Sequence, residues 1–158
     1  MNKITKKVFT NPIYFLAFGF GSGLMPKAPG TFGTVAAIPV YCLLTFFSPL
    51  VYGLVTLCAG VIGLFLCGYV AKDLGEHDYP GIVWDEIVGY LCTMFLAPHG
   101  IFWILLGFGL FRIFDILKPF PITWADEHVK GGLGIMLDDL LAAVPAWVII
   151  QLIAWRFA

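Results

Sequence analysis

The chain has 158 residues, 60% hydrophobic and 12% charged, with nine Lys/Arg against ten Asp/Glu, whereas ordinary soluble domains run at roughly 45–50% apolar and about 25% charged. So few charges cannot cover the apolar surface of a soluble domain of this length, and the composition predicts one membrane-embedded domain over residues 1–158. A net charge of −1 without a long basic run excludes a nucleic-acid binder, and 16% aromatics with few charges exclude disorder.

Four windows carry no Asp, Glu, Lys or Arg: residues 8–26, 28–71, 87–111 and 140–155. A bilayer crossing takes about 20 apolar residues. The chain opens on Lys3, Lys6 and Lys7, followed by Pro12 to Met25 as Pro-Ile-Tyr-Phe-Leu-Ala-Phe-Gly-Phe-Gly-Ser-Gly-Leu-Met. That stretch is too short and glycine-rich for a crossing, so a re-entrant or interfacial segment is predicted. A signal peptide is the rival reading, against which stand the interruption at Asn11-Pro12 and the lack of an Ala-x-Ala site.

The second window accommodates two crossings, near 32–47 and 50–71, with Ser48-Pro49 as the turn between them. The third extends to Leu117 and breaks at Ala97-Pro98-His99-Gly100, giving two more, the first of them short unless its helix begins before Trp84. The last span is expected from about Leu137 to Phe157, with Asp138 and Asp139 at its start and Pro145 perturbing its hydrogen bonds. The expected fold is all-α, an integral membrane helical bundle of about five crossings plus the short Gly-rich N-terminal segment. With the basic start in the cytoplasm, loops 72–86 and 118–136 face the same side, and every Lys and Arg except Arg156 falls there, as the positive-inside rule asks. The acidic residues gather at the same face, which reads as an interfacial enzyme more than a conduit.

Three polar segments remain. In Gly19-Phe-Gly-Ser-Gly-Leu-Met-Pro-Lys27-Ala-Pro-Gly-Thr-Phe-Gly33 the glycines could let backbone N–H groups approach an anion beside Lys27. Helix packing through Gly19-x-x-x-Gly23, or a plain loop, is the simpler account. In the second segment, Asp73, Glu76 and Asp78 sit in a polar loop, whereas Asp85 and Glu86 open an apolar helix. Two buried carboxylates need a cation or hydrogen bonds; the helix dipole gives partial relief, and a divalent cation is the stronger reading. In the third, Arg112, Asp115 and Lys118 share a helix face as a stripe of alternating sign. The stripe is either an ion-paired rim or a phosphate clamp in which Asp115 positions Arg112. Asp138-Asp139 then repeats the two-acid pattern, with one member expected to ligate and the other to support.

Two acidic pairs, a further Asp and several cations at one surface fit phosphoryl chemistry with Mg²⁺, because oxygen-only ligands suit a hard cation. His77, His99 and His128 lack zinc-ligand spacing, and Cys42, Cys58, Cys67 and Cys92 lie in apolar windows without Cys-x-x-Cys spacing. The chain also lacks the Cys-x5-Arg motif, the Asp-x-Asp-Thr/Val signature and the arginine-rich motifs of other phosphatase chemistries.

The motifs Gly-Phe-Gly-Ser-Gly-Leu-x-Pro-x-x-Pro-Gly-Thr-x-Gly, Val-Trp-Asp-Glu-x-x-Gly, Arg-x-x-Asp-x-x-Lys-Pro-x-Pro-Ile and Gly-Gly-x-Gly-Ile-Met-x-Asp-Asp occur in that order over about residues 12–145. Together they closely resemble the bacterial phosphatidylglycerophosphatase A family. The resemblance implies a mostly helical, magnesium-dependent enzyme of the inner membrane that converts phosphatidylglycerophosphate to phosphatidylglycerol and phosphate. Carried over residue by residue, it implies functional roles for Lys27, Asp85, Glu86, Arg112, Asp115, Lys118, Asp138 and Asp139.

The expected mechanism has Asp85, Glu86, Asp138 and Asp139 organise one or two Mg²⁺ ions at the cytoplasmic surface. Lys27, Arg112 and Lys118 neutralise the phosphate, an activated water attacks phosphorus, and His77 or Asp115 protonates the departing glycerol oxygen. A carboxylate nucleophile, Asp85 or Asp138, is the alternative. The lipid tails stay in the bilayer, so only the head group has to reach the site. Two readings of other classes stand beside this one: a small ion or proton transporter using the carboxylate cluster, which requires acids at mid-span, and an inactive assembly subunit.

Overall fold

A computed structural model describes residues 3–76 and 79–157. The described residues form helices and connecting turns, with no strand among them. In chain order the α-helices are α1 (Lys3–Thr10), α2 (Pro12–Ala17), α3 (Pro29–Leu44), α4 (Pro49–Leu74), α5 (Trp84–Thr93), α6 (Ile101–Leu117), α7 (Ile122–His128) and α8 (Gly131–Phe157), with a short 3-10 helix, Gly19–Leu24, between α2 and α3.

Local chemistry sets several of these boundaries. Asn11 caps α2 by accepting from the Ile13 N–H at 2.9 Å. Ser48 caps α4 in the same way from Val51, ahead of Pro49 at the first helical position, so the chain reverses where Ser48-Pro49 predicts. Gly75, at φ +75°, ends α4 in a conformation glycine adopts without steric cost.

Helices α4 and α8 each carry an 18-residue apolar window, of mean hydropathy 2.4 and 1.9, and are long enough to cross a membrane. Helices α3 and α6, with 16 and 17 residues, rise about 24–26 Å. The segment over 12–25 forms a six-residue helix and a six-residue 3-10 turn, neither long enough to cross.

The passage expected around 84–97 is only partly helical. The ten residues of α5 rise about 15 Å, half the hydrocarbon thickness. The chain leading into α5 is non-helical and packed inside the protein: Ile82 and Val83 are buried, and the Val83 N–H donates to the Ala17 carbonyl at 2.9 Å. Non-helical backbone is tolerated at membrane depth where protein covers it.

Helix α8 begins at Gly131, six residues before the expected Leu137, so Asp138 and Asp139 lie in its second and third turns rather than at its start. The helix also continues through Pro145. It is the central element, packed against α4, α5, α6 and α7. The α4–α8 contact is close because both surfaces carry glycine: a Cβ on Gly132 would lie 1.9 Å from the Leu64 carbonyl oxygen, and one on Gly68 would lie 3.2 Å from the Gly132 nitrogen. Small residues are what allow membrane helices this approach.

Gly132→Ala should therefore destabilise the protein by about 1–3 kcal/mol, since backbone rather than a flexible side chain must move. Gly109→Ala on α6, where a Cβ meets nothing within 4 Å, should leave stability unchanged or raise it. Thermal unfolding followed by circular dichroism in detergent distinguishes the two.

Candidate active site

The start of α3, the first turn of α5, the last turns of α6 and the second and third turns of α8 converge, together with residues 80–82, on a cavity of about 350 Å³. Each acid reaches it for a local reason. Asp85 and Glu86 occupy the first turn of α5, where carboxylates oppose the positive helix end. Asp139 comes from α8, which crosses α5 at that level.

Asp85, Glu86 and Asp139 each offer an oxygen within 4.8 Å of the others. Asp85 and Asp139 are 7% and 2% exposed. Asp85 Oδ1, Glu86 Oε2 and Asp139 Oδ2 are buried without a hydrogen-bond partner. Uncompensated burial of a carboxylate costs several kcal/mol, and three together repel one another. Such a trio fits a hard divalent cation, which takes oxygen ligands and supplies the missing positive charge.

Positive side chains line the same cavity. Arg112 is ion-paired with Asp115, one helical turn away, and lies 4.0 Å from Glu86. Asp115 thereby fixes the guanidinium against the carboxylate trio. Lys118 ends α6 in a left-handed conformation, φ +41°. Its Nζ donates to Asp138 Oδ2 at 2.7 Å and to Asp126 Oδ1 at 2.8 Å. Burial disfavours the Lys118 ammonium, but the hydrogen bonds to Asp126 and Asp138 outweigh it and hold the pKa above the ordinary lysine value.

Of the four carboxylates expected around the metal, three come together. Asp138 lines the same cavity but is engaged by Lys118. Adjacent helix positions diverge by about 100°, so α8 directs one acid toward α5 and the other toward the end of α6. Lys27 is exposed on the loop before Ala28 and is not part of the cavity wall. His77 lies outside the described residues. His99 lies near the far end of the bundle, beside Ala97 and Leu96, and His128 stacks on Trp124.

Two contributors are absent from the expected set. Asp126 on α7 is the second anchor of Lys118; sequence spacing offers no signal for this, because the turn between α6 and α7 sets the pairing. Gly30 lies in the first turn of α3, where a Cβ would fall 2.2 Å from Glu86 Oε1. Its signal is the Pro-Gly-Thr within the first glycine-rich motif. The rest of that motif does pack: a Cβ on Gly23 would lie 2.0 Å from the Gly81 carbonyl oxygen, and one on Gly33 2.6 Å from Val83.

Comparison with known proteins shows the family. The phosphatidylglycerophosphatase A family profile matches residues 15–154. The chain is 48% identical to the phosphatidylglycerophosphatase A of Escherichia coli K12 over 136 residues, 85% of this chain and 79% of the relative. It is 44% identical to the phosphatidylglycerophosphatase A of Haemophilus influenzae over 151 residues, 94% and 93% of the two chains. A Bacteroides thetaiotaomicron protein described as a candidate phosphatidylinositol-3-phosphatase is 37% identical over 144 residues, 87% of this chain and 90% of that one. No solved structure matches the chain.

The crowding of the carboxylate trio has a measurable consequence. In a chelator, Asp139→Asn should raise stability by about 1–2 kcal/mol, because it removes one uncompensated buried charge. Divalent cation should stabilise the parent protein and leave the variant nearly unmoved. Unfolding midpoints with and without Mg²⁺ test both signs.

Proposed function

The chain belongs to the phosphatidylglycerophosphatase A family and is a phosphatase, and from that premise we propose that it hydrolyses the terminal phosphate monoester of phosphatidylglycerophosphate with Mg²⁺, giving phosphatidylglycerol and phosphate in phospholipid biosynthesis. The observation that carries this reading is the trio Asp85, Glu86 and Asp139 in a cavity that Arg112 and Lys118 also line. A volume of about 350 Å³ is at the lower end of small-molecule sites. It suits a phosphoglycerol head group and leaves the acyl chains in the bilayer.

A magnesium ion held by the trio would supply Lewis-acid charge to the phosphate oxygens and make water a competent nucleophile near neutral pH. Arg112, oriented by Asp115, and Lys118, oriented by Asp138 and Asp126, oppose the remaining phosphate charge, and this electrostatic stabilisation is the principal term in phosphoryl transfer. Lys27, exposed before the start of α3, meets the anionic head group on approach. Asp115, which lines the cavity, or His77 provides the proton for the departing glycerol oxygen.

The membrane setting follows the charge distribution. In the expected topology every Lys and Arg except Arg156 falls on one side of the membrane. The positive-inside rule then favours a multi-pass protein of the bacterial inner membrane with the site facing the cytoplasm. In this arrangement the chain passes the bilayer five times, the third passage being α5 together with its buried non-helical lead-in. The comparisons lend no support to an ion or proton transporter, and the cavity's lining is confined to one end of the bundle.

Phosphate release by the purified protein tests the proposal, with phosphatidylglycerophosphate, phosphatidic acid and phosphatidylinositol 3-phosphate compared as substrates. The first should be preferred, and turnover should require Mg²⁺. Asp85→Asn and Asp139→Asn should each lower turnover by about 100-fold or more. Full activity in both folded variants would remove the metal assignment, and preference for another lipid would remove the head group.

A further inference from the structure

The N-terminus of α3 lacks the cap that a helix start normally carries. Its N-cap is Ala28, which makes no side-chain hydrogen bond and sits at φ +49°, followed by Pro29 and Gly30. Helix starts leave backbone N–H groups unsatisfied, and Ser, Thr, Asp or Asn at the N-cap usually accepts from them. Pro29 has no N–H, so the first donors presented are those of Gly30 and Thr31.

This uncapped turn is part of the cavity wall: Ala28, Pro29 and Gly30 all line it. A Cβ on Gly30 would fall 2.2 Å from Glu86 Oε1 and 3.2 Å from Arg112 Nη1, so glycine is what lets the α3 backbone approach both. A helix start alone names no ligand. The independent observation is that Asp85 and Asp139, 7% and 2% exposed, each bury an oxygen with no partner in the same cavity. Acids, Arg112 and a positive helix end gathered in one cavity complement a cation and an anion bound together rather than a cation alone.

We propose that the first turn of α3 is a backbone phosphate-binding edge, and that a phosphate oxygen of the substrate or of the inorganic phosphate product caps α3 by accepting from the Gly30 N–H. This deepens the lipid-phosphatase reading and rests on it. Gly30 is then a binding residue that acts through its main chain, which explains why no side-chain chemistry marks it. The ligand chemistry is that of a phosphate monoester or free phosphate, and Lys27 adjoins the same turn.

The test uses the full-length protein in detergent with Mg²⁺, labelled with ¹⁵N-glycine and titrated with inorganic phosphate. The expected result is a downfield shift of the Gly30 amide proton, half-complete at the phosphate concentration that half-inhibits lipid hydrolysis, with Gly100 and Gly109 unmoved. A Gly30 resonance that stays in place while phosphate inhibits turnover overturns the inference and leaves the phosphatase reading standing. A Gly30 shift in a protein that hydrolyses no phosphatidylglycerophosphate supports the phosphate edge and overturns the lipid assignment. A shift produced by Mg²⁺ alone, with no further change on adding phosphate, also overturns the inference.

Discussion

Three carboxylates held within 4.8 Å of one another inside a chain with few charges are the arrangement on which the rest of the structure depends. Their mutual repulsion and desolvation act against folding, so each neighbouring element supplies something that offsets them. The first turn of α5 gives Asp85 and Glu86 a helix dipole; α6 brings Arg112 to Glu86; the start of α3 lines the same cavity. Helix α8 contributes both an acid to the trio and, through Asp138, the acceptor that holds Lys118. The site is thus an electrostatic balance among four helices, completed in the functional reading by the bound cation.

That balance needs precise spacing, and the spacing comes from apolar packing. Gly132 and Gly68 let α8 and α4 approach to backbone contact, which fixes the rotation of α8 and with it the directions of Asp138 and Asp139. The N-terminal elements brace the opposite side: Lys7 pairs with Asp73 at 2.6 Å, and the Tyr14 hydroxyl donates to the same carboxylate, tying α1 and α2 to the end of α4. The 3-10 turn and residues 79–83 interlock through Gly23 and Gly81, which holds the lead-in to α5 in place.

Patterns of short range were legible in the sequence. The charge-free windows locate α3, α4, α6 and α8, Ser48-Pro49 marks the reversal, and the spacing of Arg112 and Asp115 gives their ion pair, because each depends on neighbours within a few residues. Features that depend on helix rotation or on a turn were not legible. Asp138 and Asp139 differ only in which way α8 turns them, and the pairing of Lys118 with Asp126 follows from the path between α6 and α7. The early start of α8 reflects its docking onto α4, where Gly132 meets Leu64 and propensity alone would favour a loop. The approach of Gly30 to Glu86 was not legible either, because it depends on how the start of α3 meets α5.

The place of α8 in chain order also bears on biogenesis. Asp85 and Glu86 emerge during synthesis well before Asp139, and α8 is the helix against which α4, α5, α6 and α7 all pack. The carboxylate trio therefore forms only once this helix is docked. Until then the two earlier acids lack the α8 wall of their cavity, so the nascent chain does not have to bury three negative charges before the framework that accommodates them exists.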